Sequence, residues 1–464
     1  MAGLSVDQTA GQASQPLRML VQSIRDLIAG SCDRTRAQRN AVIVFLVRVA
    51  SAGLLYLSQV ILARWMGSHE YGIYVFVWTW VLVLGSISTL GMPVVMLRMV
   101  PEYLVKGQHA LLRGLLRFGQ ITSIVASSVV AGIAVLVVLA LGARVQSHFV
   151  LPAILAFACV PAFTLSDMLD GIGRSRGWMS VGLLPPYVLR PTLLLAFMTG
   201  AYVLGWPVTA ETAAVSAIVA TWSTAILQLA LVNKAFKAEL GPGETTMTGR
   251  QWLLSASPLL IVTVSDTILQ TSDVLVLSAY LSPTQVGMYF AAAKTMSLVM
   301  FVHYAVGSAI ANRMSALRAH GDTAGLDSLV KDAVRWTFWP SLLGAVVILA
   351  LGKPLLWMFS PQFMDAYPVM FVLALGHLIR ASVGPADTIL SLLGEQKANA
   401  LILVTSAAWS LTLSFILVPH LGIYGAAIAT VTACLCAAGA SYGVARHKLG
   451  LKLSVLHVGL PRRA

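Results

Sequence analysis

Charge is what this chain has least of. Only 11% of its 464 residues are Asp, Glu, Lys or Arg, against 58% hydrophobic, which leaves too little polar surface to wrap a water-soluble body of this size. Cysteine is scarce as well: Cys32, Cys159, Cys434 and Cys436 are too few and too scattered for a disulfide framework or a zinc site. Cys434 and Cys436, two apart in an apolar run, point to different sides of a helix and read as packing residues. There is no glycine-rich nucleotide loop and no metal-ligand spacing, so no cofactor and no metal are expected. The first forty residues lack the charged, apolar and cleavage-site order of a removable leader, and are expected to stay on the chain.

What is present is apolar sequence in long runs. A bilayer core of about 30 Å takes roughly 20 apolar residues per helix. Runs of that length lie near 41–63, 72–96, 119–142, 149–169, 183–204, 210–232, 252–280, 286–311, 334–352, 367–391, 398–417 and 423–444. The expected fold is all-α: a polytopic membrane protein of about twelve transmembrane helices.

A formal net charge of +13 could point to nucleic acid, but the placement of the basic residues points elsewhere. With the N-terminus in the cytoplasm, the loops on the outer side hold three basic residues, Arg64, Arg144 and Lys353, of the 31 Lys and Arg in the chain. That asymmetry is the positive-inside pattern, strengthened by attraction to anionic lipid. Both termini are expected inside, in the inner (cell) membrane, with membrane lipids and no nucleic acid as partners. Leu17, Leu20, Val21, Ile24, Leu27 and Ile28 share one helical face, with Arg18 and Arg25 off it, so residues 1–40 are expected to carry an amphipathic helix on the cytoplasmic leaflet.

The chain matches itself at an offset of 215 residues. Val60–Tyr74 aligns with Leu275–Tyr289, pairing Gly72 with Gly287 and Tyr74 with Tyr289, and the register holds to Arg98 and Arg313. A weaker echo at offset 221 pairs Gly173 and Arg176 with Gly394 and Lys397. Six helices separate the repeats, so the halves share orientation and are related by an axis along the membrane normal. The expected organisation is a six-helix bundle at 41–232, a cytoplasmic linker at 233–251, a second bundle at 252–444 and a basic tail at 445–464.

Four stretches carry a resemblance to a known family: Ala63–Tyr74, Ser272–Leu275 with Val286–Lys294, Gly394–Lys397 and Pro419–Thr430. Over about residues 40 to 445 the chain resembles the oligosaccharidyl-lipid (O-antigen type) flippases of the polysaccharide transporter group. Their superfamily also holds lipid II flippases and multidrug and toxic-compound extrusion transporters. The resemblance implies a non-enzymatic transporter that moves an undecaprenyl-pyrophosphate-linked oligosaccharide to the outer leaflet by alternating access. It further implies H+ or Na+ coupling in many members and a polysaccharide polymerase or export machinery as partner.

Charged groups deep in a span cost about 2.5–3.5 kcal/mol each on insertion scales, so each needs a partner or a task. Arg48, Asp167, Arg190, Asp266, Asp273, Lys294, Arg380 and Asp387 are such groups. Thr263, Asp266, Gln270 and Asp273 share one helical face. The repeat places Arg48, Ser51 and Ser58 at the positions of Thr263, Asp266 and Asp273, so the equivalent face is polar in both halves. His377, Arg380, Gly384 and Asp387 form a second line, broken by Pro385. Arg48, Arg380, Lys294 and Arg190 are the candidate substrate-binding residues, because guanidinium and ammonium groups suit a pyrophosphate. Asp266, Asp273 and Asp387 are the candidate ion-coupling residues, with Asp266 expected to govern coupling. Trp78, Trp80, Tyr304 and Trp409 could stack on sugars or simply pack. Two rival readings stay open: an ion-coupled drug or cation antiporter of the same superfamily, and a membrane polysaccharide polymerase, for which the outer loops are short.

Overall fold

The computed structural model describes the backbone of residues 33–142, 146–451 and 453–455, with side chains from residue 51 onward except at 179, 312 and 319. The amphipathic stretch 17–28, Arg144 and the tail after 455 lie outside the described residues, and so does the side chain of Arg48. Internal contacts divide the chain into Met1–Gly53 and Leu54–Ala464. In the first unit the described residues, 33–53, are helical. All regular structure in the second is helical as well, among the described residues.

Helix α1 spans Asp33–Ser88 and is interrupted at Gly67, whose φ of 77° suits glycine. It is followed by α2 (Met92–Val105), α3 (His109–Leu141) and a pair bent by 45°, α4 (Ser147–Phe157) and α5 (Val160–Ser175). Next come α6 (Met179–Gly182), a π-helical turn at Pro185–Leu189, α7 (Arg190–Val203) and α8 (Ala210–Leu240). After the linker, α9 (Gly249–Tyr280), α10 (Pro283–Ser297), α11 (Met300–His320), α12 (Thr323–Ala350) and α13 (Gly352–Phe359) lead to a 3-10 turn at Pro361–Ala366. The chain closes with α14 (Tyr367–Ala381), α15 (Ala386–Leu392), α16 (Gln396–Leu421) and α17 (Ile423–Lys448).

Among the described residues nine helices are long and apolar enough to cross a bilayer, or ten with the α4–α5 pair. The stretch counted once over Ser51–Ser88 holds two of the expected spans, one on each side of Gly67. Residues 179–203, divided by the π turn, supply one more. The protein is thus all-α with about twelve crossings. Its scarcity of charge has a visible purpose on α3, where Ile121, Val125, Val129, Ile133 and Leu136 are all exposed along one side and face lipid rather than water.

Two ends can be distinguished by their ties. At the linker end Arg113 donates to the Glu244 carbonyl (2.8 Å), Arg176 pairs with Glu239 (2.6 Å) and Lys448 with Glu395 (2.7 Å). At the opposite, short-loop end, Ser68 donates to Gln362 (2.6 Å) and the Ala210 N–H donates to Glu70 (2.8 Å). One buried apolar cluster at the short-loop end draws on both halves: Leu62, Tyr71 and Ile73 from α1, Met198, Val286, Tyr289, Phe359, Phe363 and Val418. Toward the linker end the core separates. One cluster holds Met92, Leu112, Met168 and Trp252; another holds Ile310, Leu329, Ile389 and Leu453. Among the described residues, then, the halves are sealed together at the short-loop end and packed apart at the linker end.

The seal is centred on the repeat's own glycines. A Cβ placed on Gly72 would lie 1.8 Å from the Pro283 carbonyl oxygen and 3.2 Å from the Gly287 nitrogen. One placed on Gly287 would lie 2.9 Å from the Ser68 carbonyl oxygen and 3.2 Å from the Gly72 nitrogen. Residues equivalent in sequence are therefore in contact, which places the repeat axis through this crossing. Tyr71, fully buried beside it, packs on Phe290, Phe359 and Phe363 with centroids 6.0 to 6.4 Å away. Ser282 and Gln285 form a capping box that fixes where α10 begins.

Helix α9 belongs to both halves. Trp252 near its start is buried against the N-terminal half and donates to the Tyr103 hydroxyl (3.0 Å). Farther along, Ser272 meets Ser410 at 3.1 Å in the C-terminal half.

Gly72→Ala is expected to destabilise the sealed state by about 1–3 kcal/mol, the usual cost of overpacking. Thermal unfolding in detergent should show a lower midpoint for this variant. Gly132→Ala, where nothing lies within 4 Å, should leave the midpoint in place. Equal midpoints for Gly72→Ala and the unaltered protein would show that the crossing yields at no cost.

Candidate functional site

The charges expected from the sequence fall into two groups. In the N-terminal half, Pro185 and Pro186 open the π-helical turn, since proline removes N–H donors from the helical ladder. Arg190 follows directly as the first residue of α7. Its guanidinium lies 5.8 Å from the Trp78 ring centre and 5.4 Å from that of Phe163, a cation–π arrangement on two sides. Asp167, Tyr187, Tyr74 and Cys159 make up its electrostatic surroundings. Trp78 is itself stacked on Tyr74 at 6.1 Å.

The second group sits in the C-terminal half. Asp266 on α9 accepts from the Gln270 amide at 2.7 Å, one helical turn on. Arg380 and Asp387 are its charged neighbours. The line His377–Asp387 is interrupted between α14 and α15, where Gly384 takes a φ of 65° and Pro385 precedes α15. That break places Asp387 in the first turn of α15. Asp387 Oδ1 is 3.0 Å from His303 Nε2 on α11, and Arg380 also faces Asp387.

Asp273 is placed differently from Asp266. The Tyr289 hydroxyl donates to its Oδ2 at 2.9 Å and the Val274 N–H donates to its Oδ1 at 2.8 Å. Tyr289 is fully buried, so this carboxylate clamps α9 to α10. Lys294 senses Asp273, lies 5.1 Å above the Phe290 ring and is exposed. Arg48 lies on α1, its side chain outside the described residues.

Among the described residues, no carboxylate comes within 4.0 Å of Arg190, Arg380 or Lys294 to form an ion pair. The ion pairs that do form are at other positions. Three cations in spans thus make no close ion pair among the described residues. No group of His, Cys, Asp and Glu suited to a metal ion occurs among the described residues. The aromatic candidates divide: Trp78 serves Arg190, Trp409 donates to Thr432 (3.3 Å), Trp80 packs edge-on against Phe76, and Tyr304 stands beside His303.

His303 is the member of the cluster that sequence reasoning missed. A histidine in an apolar helix carries no motif, but the repeat offered a signal: at offset 215 its partner is Ser88, a neutral residue.

The polysaccharide biosynthesis protein family model matches residues 37–317, more than half of the chain. The chain belongs to that family. No curated protein matches it. Solved structures share its fold at low identity. An inward-facing multidrug resistance MATE family transporter of the MOP superfamily is 14% identical, with a TM-score of 0.72 over 88% of this chain and 98% of that one. An outward-facing MATE transporter is 14% identical, with a TM-score of 0.64 over 89% and 95%. A MOP superfamily transporter from Pyrococcus furiosus, described as having a binding pocket of reverse polarity, is 14% identical, with a TM-score of 0.63 over 92% and 97%. Family and fold together make this chain a multi-pass, all-α member of the polysaccharide biosynthesis protein family that shares its fold with those transporters.

Asp273→Ala should lower stability by about 1–3 kcal/mol, because the buried Tyr289 hydroxyl would lose its acceptor. Thermal unfolding is the measurement, and Tyr289→Phe combined with Asp273→Ala should recover part of the loss. No recovery in the double variant would place the cost elsewhere.

Proposed function

We propose that the protein flips an undecaprenyl-pyrophosphate-linked oligosaccharide from the cytoplasmic to the outer leaflet of the inner (cell) membrane, for assembly of a cell-surface polysaccharide. The observation that carries this reading is the set of membrane cations, Arg190, Arg380 and Lys294, without a carboxylate within 4.0 Å among the described residues. A diphosphate headgroup offers these cations charge-assisted hydrogen bonds, and guanidinium groups bind it through two parallel ones. Arg48 is a proposed headgroup contact on its position in the sequence alone. The family description, polysaccharide biosynthesis, agrees with such a cargo.

In this reading the linker end and both termini are cytoplasmic, as the loop charge asymmetry requires. The sealed short-loop end then faces outward, and the state described is the one that loads cargo from inside. Movement of the two halves about the Gly72–Gly287 crossing exposes the cavity to the other leaflet. Asp266 and Asp387, grouped with Arg380, bind the coupling ion, H+ or Na+, while Asp273 contributes through its hold on Tyr289. A membrane polymerase or export assembly would receive the product. A cation or drug antiporter would need a cavity of net negative charge, and Arg190, set between two aromatic rings with no carboxylate within 4.0 Å among the described residues, opposes that in the N-terminal half.

Arg190→Gln and Arg380→Gln should each reduce flipping of a lipid-linked oligosaccharide in liposomes by about tenfold or more, the equivalent of one charge-assisted hydrogen bond. Size-exclusion profiles in detergent should stay unchanged. Undiminished flipping in both variants would rule out the anionic headgroup as the recognised group. Thiol labelling gives the orientation: Gly394→Cys should react from the cytoplasmic side and Gln285→Cys from outside, and the reverse pattern would invert the topology.

A further inference from the structure

His303, in the first turn of α11, is almost completely enclosed, with 4% of its surface exposed. Its Nε2 reaches Asp387 Oδ1 at 3.0 Å. Its Nδ1 is also buried and meets no hydrogen-bond partner among the described residues. These two facts favour one tautomer. A neutral ring with its proton on Nε2 donates to the carboxylate and leaves Nδ1 as a bare acceptor, whereas an imidazolium would bury an N–H with nothing to receive it.

The ring stands among charges that do not balance. Asp387 faces it from α15, Arg380 and His377 stand behind on α14, and Asp266 on α9 senses both Arg380 and Asp387. Cys434 on α17 lies near Arg380, and α12, packed on the same helix, carries the Arg335–Asp332 pair, 4.0 Å apart. Asn399 on α16 donates to the Asp387 carbonyl at 3.5 Å. Within the central group two carboxylates oppose one guanidinium, so the cluster lacks one positive charge. Imidazole is the side chain whose charge changes most readily near neutral pH.

We propose that His303 is the binding site of the coupling proton. Nδ1 takes one proton from water when the cavity opens at the short-loop end, which completes the charge of the Asp266–Arg380–Asp387 group. The Nε2–H bond to Asp387 is kept, and no other bond is made or broken. When the short-loop end seals again, Nδ1 loses its contact with water on that side and the same proton leaves toward the linker end. The inference rests on the alternating-access reading above and names the ion and the atom that carry its coupling. The N-terminal half has no counterpart, because the repeat places Ser88 there, so one proton is carried per cycle at this site.

The test needs no substrate. Ser68 is buried at the seal, and a Ser68→Cys reporter in a protein whose native cysteines are replaced by serine labels when that end opens. Labelling of the detergent-purified protein, taken at each pH relative to the same cysteine in the SDS-unfolded protein to cancel the thiol's own pH dependence, is expected to rise severalfold from pH 8 to pH 5.5. His303→Gln can still donate to Asp387 but cannot take a proton, and its labelling should be flat across that range. An unchanged pH curve in His303→Gln, or a flat curve with His303 present, overturns the proposal. If His303→Gln does not fold, Asp387→Asn is the second variant: with the carboxylate gone there is no charge for the imidazolium to complete, so the rise in labelling at acid pH should be lost, and an unchanged curve overturns the proposal equally. Because no lipid-linked sugar is present, failure of the flippase reading would appear in the liposome assay and leave this curve intact.

Discussion

The rest of the structure depends on one close approach, that of α1 and α10 at Gly72 and Gly287. Backbone meets backbone there with no room for a side chain on either helix. In a bilayer, where lipid is as apolar as the residues it replaces, small residues that admit such contact are what hold helices together. The large aromatics Tyr71, Phe359 and Phe363 gather around the crossing because the glycines bring the halves near enough for them to interlock. With that end sealed, the buried cores toward the linker end remain two separate clusters, one in each half among the described residues save for the start of α9.

The two halves carry their membrane charges differently. The N-terminal half contributes a guanidinium held between Trp78 and Phe163. The C-terminal half contributes a mixed group of Asp266, His303, Arg380 and Asp387. In a low-dielectric setting such charges are strongly coupled, and a change in one is felt by all. A repeated fold thus carries unlike chemistry in its two halves, a cation held by aromatic rings in one and a mixed group of acids and bases in the other.

Much of this was legible beforehand. The apolar runs marked the crossings, and the two spans expected at 41–63 and 72–96 meet at the non-helical break of Gly67. The helical spacing placed Asp266 and Gln270 on one face, where the structure joins them by a hydrogen bond. The repeat showed Gly72 and Gly287 to be equivalent, but equivalence in an alignment does not say that two residues touch; only the position of the axis does. Periodicity likewise shows that a face of α9 is polar without showing that its two ends pack on different partners. Asp266 and Asp273 looked alike on that face, and the buried Tyr289 hydroxyl, sixteen residues later, is what separates them. His303 carried no pattern of its own, and its significance comes from a carboxylate 84 residues away.

The double membership of α9 has a mechanical consequence. Trp252 is seated in one half and Ser272 in the other, with Pro258 between them in the same helix. A proline within a helix leaves a carbonyl unpaired and makes bending there easy. The covalent link at 241–248 is therefore a minor part of what joins the halves. A polypeptide severed in that loop and produced as two pieces would still have α9 as a packed axle, carrying its own instructions for reassembly.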